Sequence, residues 1–207
     1  MVKVLGPAMS MEASGQIGGV LVFSRWKGRP YARSLVKPSN PKNPAQVGIR
    51  SMLKFLSQAW KPLADEPKAT WVLLAKDTNI SPFNAYVAYN VRRWRENRNP
   101  AQSYPAAEAS TALTVTQALT AGQRNILVGL TPSGATGIWG FVIFRSAASI
   151  TDINWNLAIA VIPADGANAV SYTDAPLAAG TYHYRSAVIM TDGKVTVGCT
   201  DANATAT

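Results

Sequence analysis

The sequence predicts an α+β N-terminal unit, a β-hairpin plus about three helices, followed by an all-β sandwich. Three observations carry this. Two apolar runs flank the turn signal Lys27-Gly28-Arg29-Pro30. Three stretches of helical periodicity follow between Pro44 and Arg98. Beyond a proline-bearing stretch at 99–105, about seven short apolar runs with turn residues between them span about 95 residues, the rhythm of a sandwich.

In chain order, residues 1–18 are small and Gly-rich and read as an extended arm. Val20-Leu21-Val22-Phe23 and Tyr31 to Val36 read as the strands of the hairpin. Pro38, Pro41 and Pro44 recur every third residue, each fixing its φ and extending the residue before it. Asn43 is positioned as an N-cap with Pro44 at the first helical position. Ile49, Met52, Leu53, Leu56 and Trp60 then share one helical face. Asp65-Glu66-Pro67 restarts a helix carrying Trp71, Leu74 and Ala75 inward, and Asn79-Ile80-Ser81-Pro82 breaks it. Ser81 caps a third helix with Phe83, Val87, Asn90, Val91 and Trp94 at helical spacing. Trp60, Trp71 and Trp94 are expected to meet in one small core.

The division expected is an arm at 1–18, a hairpin-plus-helices domain at 19–99, a linker at 100–108 and a sandwich at 109–207. The expected strands are 113–116, 125–130, 138–146, 157–162, 169–173, 181–190 and 194–200.

The chain has 207 residues and 47% apolar content, enough for a real core. No apolar run reaches the roughly 18 residues of a membrane span, and the N-terminus lacks the apolar region of a signal peptide. The single Cys199 leaves no partner for an internal disulfide, and one His, His183, leaves no credible acid–base set. Gly15-Gln16-Ile17-Gly18-Gly19 lacks the strand-to-helix context of a phosphate loop. We expect no enzyme activity, no cofactor and no metal. Asp152, Asp165, Asp174 and Asp192 sit at turn signals and read as turn formers.

Charge is uneven. Residues 1–100 hold 16 Lys/Arg against 5 Asp/Glu, while residues 101–207 hold 4 against 6. The basic half implies an acidic partner, either nucleic acid or an anionic protein surface. Arg25, Lys27, Arg29, Arg33 and Lys37 crowd the hairpin, with Trp26 and Tyr31 interleaved, so that stacking on bases is open as well as simple solvation. Arg92, Arg93, Arg95 and Arg98 end the third helix, where cations complement the dipole; a phosphate-binding cluster is the alternative.

Two resemblances follow from motifs. Val36-Lys37-Pro38-x-Asn40-Pro41-x-x-Pro44-x-Gln46-x-x-x-Arg50, followed by Trp60 and Trp71, resembles a group of small tailed-phage virion proteins. Gly15 to Val20 (one residue short of that group's spacing) and Trp26-Lys27-Gly28-Arg29-Pro30-Tyr31-x-Arg33 belong to the same look. This covers roughly residues 15 to 95 and implies a virion location. Tyr172-Thr173-Asp174, Leu177, Gly180-Thr181-Tyr182-His183-Tyr184-Arg185 and Asp192-Gly193 are similar to the later strands of fibronectin type III and related Ig-like domains. That resemblance implies a corner tyrosine at Tyr182 and a core filled by Trp139 or Phe141.

Together these lead us to expect a bacteriophage structural protein. The expected role is capsid decoration or cement, with a neck or tail component as the nearest variant and nucleic-acid binding as the alternative. The expected partners are the major capsid or other virion proteins, with self-association open and no membrane. The residues expected to touch a partner are Arg25, Lys27, Arg29, Arg33, Lys37, Asn40, Pro41, Arg92, Arg93 and Arg95.

Overall fold

The computed structural model describes residues 14–37, 39, 43–134, 136–166, 168–196 and 198–207, with the backbone of Val2 and Lys3. The chain forms two compact units, Met1–Pro41 and Lys42–Thr207. The division therefore falls ahead of the helices and not at 100–108, because the helices share their core with the sandwich.

The first unit is a four-stranded antiparallel sheet in the order β1-β4-β3-β2, built from β1 (Val2–Lys3), β2 (Gly15–Ile17), β3 (Leu21–Trp26) and β4 (Arg29–Ser34). The expected hairpin is its centre. The described parts of the expected arm are not free: β1 pairs with β4 at Ala32 and Tyr31, and β2 pairs with β3 from Leu21 to Phe23.

The second unit begins with α1 (Pro44–Trp60), α2 (Asp65–Thr78) and α3 (Pro82–Arg95). The caps are those expected. The Asn43 side chain accepts from Ala45 N, and Ser81 Oγ accepts from Asn84 N. Asn79 ends α2 in the left-handed region at φ 53°. Pro38, Asn40, Pro41 and Lys42 lie outside the described residues.

The sandwich sets a three-stranded sheet, β6 (Val115–Gly122), β7 (Asn125–Pro132) and β10 (Val170–Asp174), against a four-stranded one. The latter runs β13-β11-β8-β9, from Ala202–Ala206 through Gly180–Met190 and Ile138–Ser146 to Ala158–Pro163. The last strand differs from expectation. Among the described residues of 194–200 the only strand is β12 (Val195–Thr196), paired in parallel with β5 (Ser110–Thr111). The closing strand is Ala-Asn-Ala-Thr-Ala, too small and polar to be seen in the hydropathy.

The four-stranded sheet is buried on both sides. One side, with Phe141, Ile143, Val188 and Tyr184, meets the three-stranded sheet. The other, with Trp139, Val142, Phe144 and Ile189, meets the helices through Met52, Phe55, Leu56, Trp71 and Trp94. A bulge in the β8–β11 pairing, with Met190 opposite Ile138 and Ile189 opposite Gly140, turns Trp139 to the helical side, where its ring lies 4.8 Å from that of Phe55. So Phe141 fills the sandwich interior and Trp139 does not.

α1 docks on the edge strand β9. A Cβ at Gly48 would lie 2.7 Å from Ala158 O, so only glycine permits this approach. Ser51 Oγ accepts from Val161 N at 2.7 Å and satisfies the strand edge. This docking rotates α1 from its expected face: Phe55 is buried and Leu53 is exposed. The three tryptophans share one cluster without mutual contact. Tyr86 sits between Trp60 and Trp71 at 5.1 and 5.3 Å, and Trp94 packs on Trp155 at 4.4 Å.

Candidate interaction surface

From Ala13 to Ala64 the sequence has no Asp or Glu and nine Lys/Arg. The β3–β4 hairpin presents part of this charge on a fixed scaffold. Lys27 and Gly28 both have positive φ, 49° and 77°, which makes a two-residue turn whose twist matches the strands. Trp26 faces Arg29 across it.

The register sorts the side chains. Ile17, Leu21, Phe23, Arg25, Pro30 and Ala32 share one face; Val22, Ser24, Trp26, Arg29, Tyr31 and Arg33 share the other. The second face interleaves two arginines with two aromatic rings, and Lys27 Nζ lies 5.0 Å over the Trp26 ring. Among the described residues of this unit, Ala32 is the only buried side chain. Ile17, Val20 and Trp26 are 54%, 69% and 63% exposed. A sheet with so little interior of its own has apolar area available for a partner.

The other expected contact residues distribute as follows. Arg25, Lys27, Arg29, Arg33 and Lys37 are exposed, as are Arg92 and Arg95 at the end of α3. Asn40 and Pro41 lie outside the described residues. Arg93 is a correction: it is 3% exposed and holds the helices to the sandwich. Its Nε donates to Asn99 O at 2.6 Å, one terminal nitrogen donates to Glu108 Oε1 at 3.0 Å, and the other donates to Gly193 O at 3.0 Å. Three of its five N–H donors are so engaged, and burial keeps the guanidinium from a phosphate outside. Arg98 joins Glu108 from outside.

Two polar clusters in the sandwich are structural. Tyr184 Oη donates to Asp174, which also takes two bonds from Arg145. Burial first, then Asp174, pushes the Tyr184 phenol well above its usual range. Elsewhere, His183 Nδ1 lies 2.8 Å from Asp201 Oδ2, and Ser149 Oγ donates to the same oxygen at 2.9 Å. The serine thus bonds the carboxylate and not the imidazole, so the nucleophile–base–acid order of a hydrolytic triad is missing. Burial works to raise the Asp201 carboxyl, but the bonds from His183, Ser149 and Ile150 N outweigh it and hold it below the usual range. Cys199 is buried, and its Sγ accepts from Ser186 N.

A cleft of about 410 Å³ opens between α1 and the sandwich, lined by Phe55, Gln58, Leu63, Gln102, Trp139 and Pro163. Its lining holds no titratable group, so it offers shape without an acid or base. Among the described residues no three His, Cys, Asp or Glu cluster to hold a metal, and no helix is long and apolar enough to cross a membrane.

No family model matches the chain, and no curated protein matches it. Two solved structures share partial likeness. One is the pectate lyase PelI from Erwinia chrysanthemi in complex with tetragalacturonic acid, at 17% identity and a TM-score of 0.34, over 45% of this chain and 27% of that one. The other is a beta-1,2-glucanase from Parabacteroides distasonis, at 19% identity and a TM-score of 0.37, over 50% of this chain and 14% of that one.

Proposed function

We propose that the chain is a structural protein of a tailed-phage particle, a capsid decoration or cement protein that binds without catalysing. Its N-terminal sheet docks on an acidic surface of the major capsid or another virion protein. The helix–sandwich unit is the body so displayed. One observation carries the reading: the N-terminal sheet joins exposed apolar side chains to a run of cations with no acidic residue between Ala13 and Ala64. Opposed charge gives such a contact its specificity and on-rate, and the apolar area gives it affinity.

We further read the sandwich as fibronectin type III-like. The strand order β6-β7-β10 against β9-β8-β11-β13 supports this, as does Tyr182 Oη donating to Ala178 O, four residues upstream, at 3.1 Å.

The test is quantitative mass spectrometry of gradient-purified particles from the source, counting this chain against the main shell protein. A copy number near that of the shell protein fits decoration. A small fixed number moves the chain to the neck or tail. Absence from particles overturns the virion reading.

The face that interleaves Trp26, Arg29, Tyr31 and Arg33 favours a second reading, single-stranded nucleic acid. About three phosphate contacts there would give a log–log salt slope near −2. Binding unaffected by salt would rule it out.

A further inference from the structure

A cavity of about 220 Å³ opens between α2 and α3. Its lining is graded. Ile80 and Ala85 lie at the turn between the helices, and Leu74 and Ala88 follow. Tyr89, Arg92 and Tyr104 line the other end. Ala85, Ala88 and Arg92 share one face of α3, so Arg92 stands one turn, about 5–6 Å, beyond the apolar floor.

The polar end is held in place, and its donors are unspent. Tyr89 and Tyr104 pack edge to face at 5.2 Å, and the buried Trp71 backs them at 5.5 and 5.9 Å. Tyr104 N donates to Thr70 Oγ1, which ties the stretch after α3 to α2. Tyr89 Oη accepts from Ala106 N and keeps its own hydrogen to donate. Among the described residues neither the Arg92 guanidinium nor the Tyr104 hydroxyl has a hydrogen-bond or ion-pair partner, whereas Arg93 and Arg98 are taken by Glu108. No acidic residue lines the cavity. Counting also its sequence neighbours on the two helices, Lys76, Asp77, Arg95 and Glu96, three cations stand against two acids.

Free donors beside an apolar floor select a ligand that is anionic at one end and apolar at the other. Size narrows the choice, because the cavity is smaller than the roughly 300–1,000 Å³ that hold whole small-molecule ligands. A C-terminal amino acid carries both features on one Cα: an apolar side chain, and a carboxylate that a guanidinium takes with two parallel bonds. An internal acidic residue would need a second residue to fill the floor.

We propose that this cavity binds the C-terminal residue of a partner polypeptide, with its apolar side chain against Leu74, Ile80 and Ala88 and its carboxylate on Arg92. The site stands apart from the N-terminal sheet and does not rest on the virion reading.

Titration of the whole chain, followed by amide NMR shifts, tests it with three probes: acetyl-Ala-Phe with a free carboxylate, the same peptide as its amide, and 3-phenylpropionate. The free-acid peptide should saturate shifts around the cavity with a Kd on the order of millimolar, as one buried residue allows. The amide should bind about tenfold more weakly. Arg92→Gln should erase that difference and leave the amide's affinity unchanged. Ala88→Leu, at an exposed helical position, should fill the cavity and abolish binding of both peptides while the rest of the spectrum superposes on wild type. No saturable shift at the cavity overturns the proposal. So does equal binding of acid and amide, or a preference for the acid that survives Arg92→Gln. Phenylpropionate binding as tightly as the peptide overturns the assignment to a chain end.

Discussion

Replacing Arg93 by alanine separates the structural role from a surface role, because the two differ in magnitude. Arg93 is buried, and its guanidinium serves Asn99 O, Gly193 O and Glu108. Each buried carbonyl left without a donor costs about 1–3 kcal/mol. Glu108 is 60% exposed at its side chain, so its share is under about 1 kcal/mol. The stem also packs, and its guanidinium lies 5.9 Å over the Tyr89 ring. The total is about 3–5 kcal/mol, in the range for breaking a buried charged network. For a unit of this size that lowers Tm by roughly 6–20 °C. Urea unfolding followed by tryptophan fluorescence, with calorimetry, measures it. Arg93→Lys should recover little, since one ammonium cannot fork to three acceptors. A loss within about 0.5 kcal/mol, the level of an exposed residue, would refute the reasoning.

The remaining expectations are brief. Gly48→Ala gains about 1 kcal/mol of helix propensity but drives a Cβ to 2.7 Å from Ala158 O. A net loss of about 1–3 kcal/mol should appear in the urea midpoint, and a gain would mean that α1 can slide on β9. The folded carboxyl of Asp201 titrates below its unfolded value, so its contribution is whole above roughly pH 4 and fades as pH falls through the folded value. The stability gap between wild type and Asp201→Asn should therefore shrink in acid; a gap constant from neutral to strongly acid pH would contradict the assignment. A fragment of residues 109–207 should give poorly dispersed amide signals, whereas 42–207 should give a dispersed spectrum; good dispersion from the short fragment would show that the sandwich stands without the helices.

The local devices were legible because each rests on one or two residues. Asn43-Pro44, Ser81-Pro82 and Asn79 mark helix ends by their own chemistry, and Lys27-Gly28 marks the hairpin. What misled was long-range. Arg93 reads as one of four similar cations at a helix end, and nothing local says that this one turns inward to meet Gly193, a hundred residues on. The face of α1 was misplaced by a fraction of a turn because the strand it meets is also distant in sequence. The closing strand Ala202–Ala206 holds its place by pairing with β11 and not by hydropathy. Among the expected contact residues, the hairpin cations were legible by type, but the sorting of Arg29 and Arg33 onto the Trp26 side needed the register.

One signal in the sequence did report the helix–sandwich union. Ile138-Trp139-Gly140-Phe141-Val142-Ile143-Phe144 is continuously apolar, whereas a sandwich strand with one face in water alternates. Such a run calls for cover on both sides, and α1 to α3 supply the second. The energetics make that cover indispensable. Trp139, Val142, Phe144, Ile189 and Val161 lie in the helical core cluster. At about 1.5–3 kcal/mol per large side chain, uncovering them costs on the order of 10 kcal/mol. That is comparable with the 5–15 kcal/mol by which a whole domain is stable, roughly. The helices are therefore the outer layer of the body, and the cations on them include one that the core consumes. The N-terminal sheet is built on the opposite balance, with a single buried side chain among its described residues and large apolar groups left in water. Cohesion belongs to Lys42–Thr207, and on the proposed reading the first unit supplies the surface for a partner.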